Sequence, residues 1–129
     1  MILTIRTDKP EAEIGLFNGD KKIDYFTWEA HRNLSADIHR KIKGILEKND
    51  KSYENLKGIA FYSGPGSFTG LRIGATVANT LADTLDVPII GKGGDDWTRA
   101  AIVGILAGNS DKIVVPDYGS PANTTKPKK

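Results

Sequence analysis

The sequence predicts an α/β fold in which one mixed β-sheet is flanked by helices. Short runs rich in β-branched residues fill the first 28 residues and are joined by turns, which indicates antiparallel strands. After residue 33, apolar residues recur at helical spacing. Two later strand-like runs are each followed by a helical pattern, which is typical of parallel strands joined by helices. The length of 129 residues favours a single domain.

The first three predicted strands form an antiparallel meander. They cover residues 2–7, 12–17 and 23–28. An Asn-Gly pair at residues 18–19 separates the second strand from the third, and Asn-Gly between two apolar runs is a strong hairpin signal. Because turns this tight join neighbouring antiparallel strands, we expect the three strands to lie side by side.

Helices and parallel strands alternate in the rest of the chain. A first helix follows the candidate N-caps Asn33 and Ser35 and ends near residues 49–50. A strand over 57–62, a helix over 69–85, a strand over 88–91, a helix that opens at 93–96 and runs to 107, and a last short strand over 112–115 come next. This order is that of the ribonuclease H-like layout, which is also the half-unit of the actin-like (ASKHA) group. It predicts a five-stranded mixed sheet with flanking helices.

Composition excludes several classes of protein. The chain has no cysteine, so disulfides, thiolate metal sites and a cysteine nucleophile are excluded. Its first residues lack the pattern of a signal peptide and no apolar run reaches the roughly 18 residues of a membrane span, so we expect a cytoplasmic protein without a membrane contact. Residues 117–129 predict an extended basic tail. Without the three lysines of that tail the chain holds 15 basic and 16 acidic residues, which argues against nucleic-acid binding by the folded body.

The predicted second helix is apolar on more than one side. One apolar stripe consists of Leu71, Ala75, Ala78, Ala82 and Leu85, and a second consists of Ile73, Val77 and Leu81. A helix that packs only on its own sheet needs one such stripe. Small residues also recur at every fourth position, at Gly70, Gly74, Ala78 and Ala82. Such a row lets another helix approach closely, and that neighbour is either the first helix of this chain or a helix of a partner protein.

Catalysis is not predicted. A nuclease or phosphotransferase of this layout needs a carboxylate inside the first strand to hold a divalent metal. That position holds Arg6 here, and Asp8 lies beyond it in the predicted turn. His31 and His39 have no companion residues that complete a metal-ligand set. We therefore expect no catalytic residue, no metal and no cofactor.

A glycine-rich loop over residues 64–70 follows a strand and opens a helix. This context suits anion binding, because free N–H groups point outward there. The loop is not a P-loop, since no lysine follows its last glycine. Three readings remain: a tight turn in which Ser67 or Thr69 is the N-cap, a phosphate site, or a segment that shapes a protein interface.

From residue 64 to residue 74 the sequence reads Gly-Pro-Gly-Ser-Phe-Thr-Gly-Leu-Arg-Ile-Gly, which resembles the signature of the TsaB (YeaZ) family. The pattern of residues 2–7, the strand at 58–60, and Leu81-Ala82 followed by Pro88 support the resemblance. It covers residues 1–91 well. The signature positions in this chain are Gly64, Pro65, Gly66, Ser67, Phe68, Thr69, Gly70 and Arg72.

The resemblance implies an actin-like fold with a degenerate nucleotide site and a non-catalytic role. It implies that the protein binds the TsaD-like catalytic subunit, with a TsaE-like ATPase joining the assembly that installs threonylcarbamoyl on tRNA, so that contact with tRNA is only indirect. Members of the family pair through their first two helices, with TsaD or with another copy. The corresponding residues here are Ile38, His39, Ile42, Leu71, Gly74, Ala75, Ala78 and Ala82. The alternative is a homodimer that binds a nucleotide or phosphate at the 64–70 loop.

Two departures from the family pattern affect these expectations. The family usually has an acidic residue where Arg6 stands. Its second subdomain is nearly absent here, because only the stretch between Gly91 and Pro116 is available for it. We therefore expect one actin-like domain over residues 1–116, with a family-matching core over 1–91 and a remnant of the second subdomain over 92–116. A two-lobed ATP cleft is not expected.

Overall fold

A mixed sheet of five strands organises the protein. The computed structural model describes residues 1–117. The strands are β1 (Ile2–Arg6), β2 (Glu11–Asn18), β3 (Lys21–Glu29), β4 (Gly58–Gly64) and β5 (Ile89–Gly93). They lie in the order β3-β2-β1-β4-β5. Strands β1, β2 and β3 pair antiparallel, whereas β4 pairs parallel with both β1 and β5. The meander and the five-stranded mixed sheet that the sequence predicts are confirmed.

Three α-helices cover the two faces of this sheet. They are α1 (Leu34–Lys48), α2 (Phe68–Leu85) and α3 (Trp97–Leu106). Phe61 of β4 lies next to Gly74 of α2, whereas Gly58 of β4 lies next to Ile105 of α3. Because residues an odd number of positions apart in a strand point to opposite faces, α2 and α3 lie on opposite sides of the sheet. Helix α1 contacts β2, β3 and α2. None of the helices described over residues 1–117 could span a lipid bilayer.

The row of small residues on α2 contacts the sheet rather than another helix. A Cβ atom added at Gly70 would collide with the carbonyl oxygen of Thr7, and one added at Gly74 would collide with the Thr7 side chain. The Thr7 hydroxyl donates a hydrogen bond of 2.7 Å to the carbonyl oxygen of Gly70. The prediction that this row receives a helix is therefore wrong for its first two members. The close neighbour is the end of β1.

The short strand predicted over residues 112–115 does not form. This segment follows the outer edge of β5. The N–H of Asp111 donates to the carbonyl oxygen of Ile89 at 2.7 Å, but side chains accept the hydrogen bonds from the N–H groups of β5. The N–H of Ile89 donates to Ser110 Oγ at 3.1 Å, and the N–H of Gly91 donates to Asp111 Oδ2 at 2.9 Å. Lys112 then turns the chain with a φ of 69°. Local side-chain hydrogen bonds replace a sixth strand.

A clamp from α2 holds the same segment in place. Asn79 Nδ2 donates to the carbonyl oxygen of Val114 at 2.9 Å, and the N–H of Val114 donates to Asn79 Oδ1 at 2.8 Å. We expect Asn79→Leu to lower the hydrogen-exchange protection of the Val114 amide at least about tenfold, because that amide then lacks its acceptor. Asn79→Asp keeps the acceptor oxygen and should retain most of the protection. Unchanged protection in Asn79→Leu would contradict the clamp.

Candidate partner surface on the first two helices

The signature run forms the end of β4, a rigid turn and the first turns of α2. The peptide bond between Gly64 and Pro65 is cis, and Gly64 has a φ of 123°, a value that residues with a side chain rarely adopt. The Tyr62 hydroxyl donates to the carbonyl oxygen of Pro65 at 2.8 Å. Ser67 is the N-cap of α2, and its Oγ accepts from the N–H of Gly70 at 3.5 Å. Of the two candidate N-caps in this loop, the structure selects Ser67.

The loop offers a poor site for a phosphate. The N–H of Ser67 donates to the carbonyl oxygen of Asp8 at 3.1 Å, and the N–H of Gly70 points to Ser67 Oγ. The Asp8 side chain also packs against Gly66. A phosphate would therefore find two loop donors already in use and a carboxylate beside it. This geometry favours the reading of the loop as a tight turn.

A charge pair closes the end of β1 where a metal-binding carboxylate would be needed. Arg6 Nε lies 2.7 Å from Asp8 Oδ1, and Nη2 donates to Oδ2 at 3.3 Å. The guanidinium also stacks on Tyr62, with Cζ 4.0 Å from the ring centroid. The hydrogen bond to Asp8 is the largest cause that raises the pKa of Arg6 above its ordinary value. The Arg6 guanidinium therefore compensates the charge of the Asp8 carboxylate. Residues 1–117 contain no group of three or more acidic or histidine side chains that could hold a metal.

The residues predicted to bind a partner occupy two different environments. His39 is exposed on α1. The others are buried in the core of this chain, between α1, α2 and the sheet: Ile38, Ile42, Leu71, Gly74, Ala75, Ala78 and Ala82. Buried side chains cannot contact a partner directly, so any contribution from these seven would be to support the surface from below. Their role in partner binding stays a prediction.

The accessible surface on these two helices is a groove between them. This α1–α2 groove has a volume of about 450 Å³ and is lined by Ser35, His39, Thr69, Arg72, Ile73, Thr76 and Val77. At one end, Phe68 is 55% exposed, and the guanidinium of Arg72 lies 5.5 Å from its ring centroid. Sequence reasoning missed Ser35 and Thr76, which carry no apolar signal. Ile73 and Val77 belong to the second apolar stripe of α2, and that stripe is the signal that pointed to this side.

Comparisons with known proteins match this chain to proteins named for the threonylcarbamoyl modification of tRNA. A family model described as "TsaD: tRNA N6-adenosine threonylcarbamoyltransferase" matches residues 28–91. The chain is 36% identical over 88 residues to the tRNA threonylcarbamoyladenosine biosynthesis protein TsaB of Bacillus subtilis (strain 168), covering 68% of this chain and 38% of that protein. It is 33% identical over 95 residues to TsaB of Escherichia coli (strain K12), covering 70% of this chain and 38% of that protein.

A solved structure shows the same fold. YeaZ from Pseudomonas aeruginosa superimposes with a TM-score of 0.66 at 23% identity, covering 71% of this chain and 43% of that chain. The actin-like, ribonuclease H-like fold predicted from the order of elements is thereby confirmed. The chain spans about two fifths of the length of the relatives it matches.

Proposed function

Because this chain belongs to the TsaB (YeaZ) family, we propose that it is a non-catalytic subunit that binds a TsaD-type catalytic subunit in the threonylcarbamoyl modification of tRNA. The observation that carries the proposal is the α1–α2 groove, which the signature run forms on one side. In this role the protein works in the cytoplasm and contacts tRNA only through its partner.

The composition of the groove supports a protein partner. Ile73 and Val77 give it an apolar floor, whereas His39 and Arg72 give it a polar rim. Phe68 adds a large exposed ring at one end. An apolar centre with a polar rim is the usual anatomy of a protein interface. The buried residues beneath, including Ala75 and Ala78, hold α2 close to the sheet and so fix the shape of this surface.

The pairing of Arg6 with Asp8 supports a non-catalytic role. Metal-dependent phosphate chemistry on this fold needs free carboxylates at the end of β1. The Arg6 guanidinium donates two hydrogen bonds to the Asp8 carboxylate and stacks on Tyr62. A divalent cation would have to displace a cation that is already hydrogen-bonded. No observation on the 64–70 loop favours the alternative, a homodimer that binds nucleotide or phosphate there.

The proposal includes a division of the chain. Residues 1–91 are the family core, and residues 92–116 are a remnant of the second subdomain. The remnant consists of the end of β5, α3 and the segment clamped by Asn79. The basic tail predicted for residues 117–129 lies, after Asp117, outside the described residues. A TsaE-like ATPase and a second copy of the chain are further partners that the family relationship suggests.

Charge reversal on the groove tests the proposal. We expect Arg72→Glu to weaken binding to the cognate TsaD-type subunit at least about tenfold, because it reverses the charge of a side chain on the rim of the interface. Arg99→Glu, an exposed change on α3 across the sheet, is the matched control and should leave the affinity within about threefold. Affinity is measured by titration calorimetry, and light scattering checks for a one-to-one complex.

Two outcomes of this experiment contradict the proposal. Absence of a complex at micromolar concentrations would remove the role as a partner subunit. Equal weakening by Arg72→Glu and Arg99→Glu would remove the α1–α2 groove as the interface. Ala78→Glu is unsuitable for this purpose, because Ala78 is fully buried and a charge there would disturb folding.

A further inference from the structure

A second groove lies on the other flank of α1, between this helix and the edge strand β3. This α1–β3 groove has a volume of about 340 Å³ and is lined by Asp24, Phe26, Arg40, Lys41, Gly44, Ile45 and Lys48. The α1–α2 groove uses Ser35 and His39 of the same helix. The two grooves share no lining residue.

The floor of the α1–β3 groove is apolar and accessible. Phe26 is 41% exposed, and its ring stacks on Trp28 with 6.0 Å between centroids. Ile45 lies beneath it as part of the core. A Cβ atom added at Gly44 would meet nothing within 4 Å. The groove therefore has room for a bulky apolar side chain beside Phe26.

The rim of the groove is positively charged. The Nζ atom of Lys41 lies 5.3 Å from the centroid of the Phe26 ring. Arg40 pairs with Asp37, and Lys48 Nζ lies 3.4 Å from Asp24 Oδ2. Residues 21–51 carry eight lysines and arginines against five acidic residues, whereas the remainder of residues 1–117 carries seven against eleven. Positive charge is thus concentrated in the segment that contains β3 and α1, which form the two walls of the groove.

We propose that the α1–β3 groove binds an acidic peptide segment of a second protein. One bulky apolar side chain of the segment packs on Phe26 in the space that Gly44 leaves, and flanking carboxylates contact Arg40, Lys41 and Lys48. The positive rim favours a segment with negative charge, because complementary charges attract. The apolar floor favours an apolar residue at the centre of that segment. This surface is independent of the interface proposed above.

The geometry favours a peptide over a nucleic acid. The wall of the groove contains Asp24, whose carboxylate accepts a hydrogen bond from Asn49 Nδ2 at 2.9 Å. A continuous phosphate backbone would meet this fixed negative charge, whereas a peptide can place its carboxylates on either side of it.

Fluorescence anisotropy with the full chain tests the proposal. The probes are three fluorescein-labelled acidic peptides of eight Glu and Asp residues interrupted by one Leu, Phe or Trp. The comparators are the same peptide with Ser at the central position and an oligothymidylate of ten nucleotides. We expect at least one apolar probe to bind in the micromolar range, and the Ser peptide to bind at least about tenfold more weakly, because its side chain leaves the floor uncovered.

Two variants at one position locate the binding. Gly44→Phe fills the groove and should weaken the best probe at least about tenfold, whereas Gly44→Ala adds one methyl group and should leave it within about threefold. Both residues are better helix formers than glycine, so neither variant should fail to fold. Circular dichroism checks that the helix content is kept.

Three outcomes would overturn the inference. They are no binding of any probe at 100 micromolar, unchanged affinity in Gly44→Phe, and binding of the oligothymidylate as tight as that of the best peptide. Arg72→Glu should not change the affinity for the probe. Failure of the α1–α2 interface is therefore separable from failure of the α1–β3 groove.

Discussion

Replacing Gly70 with alanine should lower the free energy of unfolding by about 2–3 kcal/mol, although alanine is the better helix former. The added Cβ would collide with the backbone carbonyl oxygen of Thr7, at the point where the first turn of α2 meets the end of β1. A backbone atom cannot rotate away as a flexible side chain can. The helix must therefore shift, which also strains the 2.7 Å hydrogen bond from the Thr7 hydroxyl to Gly70.

Gly44 of α1 is the matched control for this substitution. A Cβ atom at Gly44 meets nothing within 4 Å, so Gly44→Ala should raise the free energy of unfolding by up to about 1 kcal/mol through helix propensity alone. Urea denaturation of the three proteins measures both effects. If Gly70→Ala and Gly44→Ala changed stability in the same direction, the close contact between α2 and β1 would be refuted.

The opposite signs expected for these two glycines show what a sequence pattern can and cannot establish. The spacing of Gly70 and Gly74 correctly indicated that something approaches α2 closely. It did not identify the neighbour, because a small-residue row is a property of one helix, whereas the atom that fills it is placed by the tertiary fold. The neighbour is Thr7, 63 residues away from Gly70 in the chain.

The C-terminal segment illustrates a second limit. Residues 112–115 have the composition of a strand, but strand formation also requires backbone partners. Ser110 and Asp111 take the donors of β5 with their side chains. Whether a side chain or a backbone carbonyl accepts these hydrogen bonds depends on where each atom lies in the fold. Strand propensity contains no information on those positions. The five strands of the sheet were predictable because each contains a run rich in β-branched or aromatic residues, and turn residues separate these runs.

The candidate surface was harder to predict than the fold. Apolar periodicity identifies which side of a helix is hidden, and Ile38, Ile42 and Ala78, which the resemblance implied as partner residues, lie on that hidden side within this chain. A partner surface consists of what remains outside, where polar and apolar residues mix. Phe68 and Arg72 were found because they stand in the signature run, and Thr76 was missed because neither signal covers it.

Arg6 gives the prediction with the largest expected effect on the end of β1. Arg6→Met should lower the free energy of unfolding by about 3 kcal/mol, the low end of the cost of breaking a buried ion pair. The Asp8 side chain is 7% exposed and that of Arg6 is 23% exposed, so removing the cation leaves the better-buried charge without compensation. Methionine keeps an apolar stem over Tyr62, which limits the loss of packing.

A double-mutant cycle separates the charge pair from packing. Asp8→Asn alone should cost less than Arg6→Met, because the remaining guanidinium can reach solvent and still donate to the amide oxygen. Combining Arg6→Met with Asp8→Asn should recover about 2 kcal/mol relative to Arg6→Met, since no buried charge is then left unpaired. Urea denaturation at pH 7 measures all four proteins. If the loss of unfolding free energy in the double variant equalled the sum of the losses in the two single variants, Arg6 and Asp8 would be acting independently. Arg6 would then not be the cation that compensates the charge of Asp8.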